Sequence, residues 1–152
     1  MSKYEVVEKF VSINGEGTKA GQLAVFIRFK GCNLNCKYCD TKWANEQGTP
    51  SQPMTEKEIL DYVLSTGVKN VTLTGGEPLL REGIENVITV LAENNLNIEI
   101  ETNGSVYLDK IRKLHKENVT FTMDYKLSCS GMEAAMNVDN FNILSSNDTV
   151  KF

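Results

Sequence analysis

Cys32, Cys36 and Cys39 are separated by three and two residues, close enough for one loop to bring three thiolates to a single metal centre. A [4Fe–4S] cube held entirely by protein takes four thiolates, one for each iron. Three from a compact loop leave one iron open to an outside ligand. Zinc is the other chemistry open to these sulfurs, with Cys129 or His115 as a fourth ligand. Zinc sites more often pair two short Cys motifs, and this sequence has no second pair. The cube is therefore preferred, and Cys129 reads as a small packed or exposed residue.

The elements around the cysteines follow from periodicity and punctuation. Tyr4 to Val11 and Ala24 to Lys30 read as strands, the second rich in β-branched and aromatic residues. Gly31 to Pro53 has no periodicity and reads as a long binding loop. A helix is expected from Thr55, where Thr55 and Glu58 form a capping box, to a stop at Gly67. Val71 to Leu73 is a buried strand leading into Thr74-Gly75-Gly76-Glu77-Pro78. Helical spacing runs from about Leu79 to Glu93. Asn97 to Glu101 and Val119 to Asp124 are further strands, with a short helix around Leu108 to His115 between them, and another strand starts at Thr149. Such alternation predicts βα units in an α/β fold with a mainly parallel sheet. Ligands gather at the carboxyl ends of the strands in such sheets. The cysteine loop, the glycine turn, Glu101-Thr102-Asn103-Gly104 and Asp124-Tyr125-Lys126 all follow strands, which predicts one shared site.

The whole chain narrows the class. Its 152 residues, 41% apolar and 24% charged, suit one globular domain. A net charge of −4 gives no reason to expect nucleic acid or a membrane surface as partner. No apolar run approaches the roughly 20 residues that span a bilayer. Met1-Ser2-Lys3-Tyr4-Glu5 lacks the apolar core of a signal peptide, so a cytoplasmic location is expected. Clustered thiols suit that reducing compartment.

Cys32-Asn33-Leu34-Asn35-Cys36-Lys37-Tyr38-Cys39 resembles the CxxxCxxC signature of the radical S-adenosylmethionine superfamily. Ser12-Ile13-Asn14-Gly15-Glu16-Gly17, Arg28, Gly31-Cys32-Asn33-Leu34, Cys39-Asp40-Thr41, Gly75-Gly76-Glu77-Pro78 and Asp124-Tyr125-Lys126 together are similar to the 7-carboxy-7-deazaguanine synthase family. The resemblance implies an incomplete (β/α) barrel, with residues 1–152 as a single radical S-adenosylmethionine core domain lacking the family's C-terminal end. It implies conversion of 6-carboxy-5,6,7,8-tetrahydropterin to 7-carboxy-7-deazaguanine with release of ammonia, on the route to queuosine. It also implies a homodimer and a one-electron reductant such as flavodoxin or ferredoxin.

The same resemblance implies residue roles. Cys32, Cys36 and Cys39 would hold the [4Fe–4S] cluster, and Thr41 would hold Mg²⁺. Tyr38, Cys39, Asp40, Gly76, Asp124, Tyr125 and Lys126 would contact S-adenosylmethionine. Ile13, Asn14, Gly15, Glu16, Arg28 and Thr74 would contact the pterin. Asn14 stands where the family commonly has Gln, one methylene longer. Arg28 also carries a physical argument, because a planar guanidinium can grip a carboxylate with two hydrogen bonds. Two other readings stay open: an activating enzyme for a glycyl-radical partner, and a non-catalytic metal-binding module.

Overall fold

Strand formers and helix signals alternate along the chain. The computed structural model, which describes residues 2–114 and 117–152, turns that alternation into one sheet with helices between its strands. In chain order the elements are β1 (Tyr4–Ile13), β2 (Leu23–Phe29), β3 (Gln52–Met54), α1 (Glu56–Thr66), β4 (Asn70–Gly75), α2 (Ile84–Glu93), β5 (Asn97–Thr102), α3 (Asp109–Leu114), β6 (Val119–Asp124) and β7 (Thr149–Lys151). The sheet order is β3-β1-β2-β4-β5-β6-β7. Strand β1 is antiparallel to both of its neighbours, and every pairing from β2 to β7 is parallel. The parallel strands are added in one direction, as in a (β/α) barrel, without the reversal of a doubly wound sheet. Strands β3 and β7 remain as unjoined edges, so the barrel is incomplete and open, as the resemblance implies.

Alternation along the strands separates two faces. Val25, Ile27 and Phe29 of β2, Val71 and Leu73 of β4, Ile98 and Ile100 of β5, and Phe121 and Met123 of β6 are buried in one apolar core. That core also takes Ile59 and Val63 of α1 and Val87, Ile88 and Leu91 of α2. The intervening residues are largely polar and meet one another on the opposite, concave face. There Thr74 donates to Glu101 and Thr122 donates to Glu99. The loop after β1 lies over part of this face, where the Asn14 amide donates to Glu99.

Two local readings change. The stretch read as one long loop contains a 3₁₀ turn at Lys42–Asn45 and the short strand β3, whose partner β1 lies far away in sequence. The helix read from Leu79 begins only at Ile84. Pro78–Leu80 instead form a separate 3₁₀ turn, and Gly83 at φ 73° breaks the path between them. Helix α1 matches its sequence signals: Thr55 and Glu58 cap each other, and Gly67 ends the helix in the left-handed region. His115 lies outside the described residues.

Candidate active site

The cysteine loop leaves the end of β2 and lies over the carboxyl ends of the parallel strands. All three cysteines line a cavity of about 670 Å³. None of the three is in a disulfide. Burial pushes the Cys36 thiol above its ordinary range, the Lys126 ammonium opposes that rise, and Cys32 and Cys39 add to it. The Cys36 sulfur is thus near enough to Cys32 and Cys39 to feel their charge. The Cys32 sulfur accepts from the Leu34 amide at 3.4 Å and from Asn103 Nδ2 at 3.6 Å. Thr41 Oγ1 lies 3.7 Å from Cys39 Sγ.

This donor set fits a cube better than a single ion. Among the described residues, no three His, Cys, Asp or Glu side chains close on one metal-ion position. Zinc holds its sulfurs at about 2.3 Å and demands such convergence, whereas a cube takes each thiolate at a different corner. Cys129, the fourth ligand zinc would need, is exposed and lies outside the cavity lining.

A second wall comes from the turn after β4. Gly75 sits at φ 141°, and a methyl group on it or on Gly76 would press into the backbone of Phe29 or Gly31 at under 3.0 Å. That close approach lets the Gly76 amide donate to the Phe29 carbonyl at 3.2 Å and the Glu77 amide to Gly31 at 3.0 Å. The turn is thereby fastened under the start of the cysteine loop. Glu77 is fully buried and accepts from the Asn103 amide at 2.6 Å, the Leu79 amide at 3.1 Å and the Thr102 hydroxyl at 3.0 Å. It ties the ends of β4 and β5 together. Asn103 in turn donates to the Cys32 sulfur.

Burial raises the Glu77 carboxyl to about 7 in spite of those hydrogen bonds. In the unfolded chain it titrates near 4.5, so the folded state keeps a proton that the unfolded state loses between the two values. Stability from this group is fully present below about pH 4.5 and is lost as pH rises through 7. The advantage of the native protein over a Glu77→Gln variant is expected to shrink by about 1.4 kcal/mol per pH unit across that window. Urea unfolding of both proteins at pH 5 and pH 7 measures this, and a pH-independent difference would show that Glu77 is ionised throughout.

Charged groups complete the cavity. Glu101 lines it, accepts from the Thr74 hydroxyl at 2.6 Å and is raised to about 7, chiefly by burial. It can therefore hold or release a proton near neutrality. Lys126 is paired with Asp124, and Lys151 reaches Glu16 at 2.8 Å and Asp124 at 3.2 Å. Arg28 lines the cavity and is bonded through Nε to Glu8 at 2.9 Å.

The fold gathers most residues that the sequence singled out. Glu16, Arg28 and Thr74 line the cavity with Tyr38, Asp40 and Thr41 of the cysteine loop. So do Gly76 and the run Asp124, Tyr125 and Lys126. Ile13, Asn14 and Gly15 do not line it. Ile13 is 63% exposed, and Asn14 is buried with its amide donating to Glu99. Glu8, Glu77, Asn103, Glu101 and Lys151 had no assigned role from sequence. For Glu101 a signal existed in the alternation Ile98-Glu99-Ile100-Glu101, a strand with one apolar face and one acidic face.

A family model described as the radical SAM superfamily matches residues 26–126. The 7-carboxy-7-deazaguanine synthase of Clostridium acetobutylicum is 61% identical over 150 residues, covering 98% of this chain and 67% of that protein. Its counterpart in Methanospirillum hungatei is 36% identical over 152 residues, covering 99% and 61%. The crystal structure of QueE from Escherichia coli matches with a TM-score of 0.75 at 25% identity, over 93% of this chain and 68% of that one. The chain spans about two thirds of the length of these relatives. A three-thiol loop over an open parallel sheet, with this degree of identity along nearly its whole length, makes the chain a member of the radical SAM superfamily and, within it, of the 7-carboxy-7-deazaguanine synthase family.

Proposed function

We propose that this chain converts 6-carboxy-5,6,7,8-tetrahydropterin to 7-carboxy-7-deazaguanine with loss of ammonia. The observation that carries this reading is the opening of the cysteine loop, the glycine turn and the Arg28 guanidinium onto one cavity. A [4Fe–4S] cluster with one open iron, together with S-adenosylmethionine, supplies the reductive cleavage that starts hydrogen abstraction from carbon. Cys32, Cys36 and Cys39 would hold the cluster. Gly76 lines the cavity, where its backbone would face the ammonium of S-adenosylmethionine. Tyr38, Cys39, Asp40, Asp124, Tyr125 and Lys126 offer the further polar and aromatic contacts for S-adenosylmethionine.

Arg28 grips the substrate carboxylate, and Thr74 and Glu16 present polar groups to the ring. Ile13, Asn14 and Gly15 act by carrying Glu16 to the cavity edge. The Thr41 hydroxyl is one ligand for Mg²⁺, whose other positions fall to substrate oxygens and water. A one-electron reductant such as flavodoxin or ferredoxin, a homodimer and a cytoplasmic location complete the proposal. The described residues hold no helix long and apolar enough to cross a membrane.

Anaerobic reconstitution followed by turnover tests the reading. Cleavage of S-adenosylmethionine is expected to couple to deazaguanine formation only with the carboxylated pterin. Arg28→Ala should weaken substrate binding at least about tenfold, the worth of a charge-assisted pair, while iron content stays the same. Coupling to a glycyl-radical protein instead, or one equivalent of zinc and no iron uptake, would overturn it.

A further inference from the structure

We propose that Glu8 is a positioning residue for this site, holding the Arg28 guanidinium by its Nε so that the two terminal nitrogens present a fork to a substrate carboxylate. The inference rests on the carboxylate role proposed for Arg28. Glu8 does not line the cavity; its carboxylate lies behind Arg28, 2.9 Å from Nε. The Arg28 side chain is only 17% exposed, so its position is set by its neighbours rather than by solvent.

A backbone irregularity puts Glu8 there. Tyr4 and Val6 point into the apolar core, where the Tyr4 ring meets Phe29 at 6.2 Å and its hydroxyl donates to the Gly83 carbonyl at 2.7 Å. Strict alternation would send Glu8 into the same core. The register between β1 and β2 shifts between Val6 and Glu8, and that extra residue reverses the parity of the rest of the strand. Glu8 then stands directly across from Arg28, and Phe10 across from Phe26. The two rings stack at 5.1 Å with an interplanar angle of 8°, which places all four side chains on the concave face. Bulges are a known device for re-aiming a side chain beside a functional site. Here the device delivers a carboxylate to an arginine.

The bond decides what Arg28 can do. A guanidinium offers a carboxylate either its two terminal nitrogens or one terminal nitrogen with Nε. Glu8 occupies Nε, so only the end-on fork remains. Among the described residues, the terminal nitrogens have no partner within the chain. The other cations lining the cavity are already paired, Lys126 with Asp124 and Lys151 with Glu16 and Asp124. Without Glu8, the cavity acids Glu16, Glu101 and Asp124 compete for Arg28, and the fork collapses onto the protein's own carboxylates. Cross-strand pairing to Glu8 prevents this.

Isothermal titration of the reconstituted protein, loaded with S-adenosylmethionine, tests the proposal with 6-carboxypterin and with unsubstituted pterin as probes. Glu8→Ala should weaken 6-carboxypterin binding about tenfold and leave unsubstituted pterin within about twofold, as expected for a loss confined to the carboxylate. Glu8→Gln keeps an oxygen that accepts from Nε and should restore most of the affinity. Glu8→Asp, one methylene too short, should not. In turnover, KM should rise more than kcat falls for both the Ala and Asp variants. Glu8→Asp also serves as the test if the Ala variant fails to fold. Unchanged or tighter 6-carboxypterin binding in the Ala and Asp variants, beside a weakened Arg28→Ala control, would overturn the role of Glu8. Unchanged binding in Arg28→Ala would instead remove the carboxylate role of Arg28 itself.

Discussion

Replacing Cys36 with Ala is expected to give a folded protein that takes up no stable [4Fe–4S] cluster and whose cleavage of S-adenosylmethionine falls by at least about three orders of magnitude. Two thiolates from one loop cannot hold three corners of a cube, and among the described residues no further cysteine lines the cavity. Cys129 lies outside the cavity lining, and the other two cysteines are already needed. Cys36 is the most buried of the three loop thiols, so it is also the one least able to be replaced by water or a buffer ligand. Its removal from a site that Lys126 and Asp124 also feel should change little in the apolar core, which lies on the other face of the sheet. Iron and sulfide analysis, with visible absorption after anaerobic reconstitution, reads the outcome directly. Full iron content and normal cleavage in this variant would mean that the loop is not the cluster site.

Gly76→Ala should be a severely damaging methyl addition beside the site. Its Cβ would fall under 3.0 Å from the Gly31 carbonyl oxygen and the Asn45 side-chain oxygen. The Gly31 oxygen is backbone and already accepts from the Glu77 amide, so it cannot swing aside as a flexible side chain can. Relief requires the glycine turn and the start of the cysteine loop to separate. Overpacking of this kind costs about 2–3 kcal/mol, which for a chain of this size lowers Tm by roughly 5–10 °C. Cluster occupancy should fall as well, because the displaced loop carries Cys32. Gly48→Ala is the matched control: a methyl group there meets nothing within 4 Å, and Tm should hold. A Gly76→Ala protein with native Tm and full iron would show that the two segments are not in contact.

The parts of this protein that were legible in its sequence are those whose cause is local. Thr55 and Glu58 mark the start of α1 and Gly67 its end, because capping and the left-handed stop depend on neighbours within four residues. The cysteine spacing is equally local, since one loop supplies every thiol. The glycine turn is readable as a turn that follows a strand, though not that it packs against Phe29 and Gly31. Local signals also misled. Apolar spacing from Leu79 onward continues a helical period across Gly83, and only the backbone conformation there separates a 3₁₀ turn from α2. Strand β3 is invisible for the opposite reason, since a three-residue strand exists only through its pairing with β1.

Asn14 and Glu77 show where polarity alone runs out. Asn14 was read at the substrate loop by resemblance, yet its side chain is spent inside the protein on Glu99. Glu77 was read as part of a turn, yet it is a buried clamp between strands β4 and β5 whose partners, Thr102 and Asn103, lie a strand and a helix further on.

The sequence by itself determined the chemistry on offer: three thiols in one loop, a glycine turn, an arginine at a strand end, and a parallel α/β frame to carry them. Only the tertiary structure decided which groups meet. The bulge in β1 sets which face Glu8 takes, and the unreversed strand order leaves a concave face where Arg28, Glu101 and the cysteines share one cavity. The physical reason is that strand register and strand order are properties of pairs distant in sequence, and no periodicity within either partner encodes them.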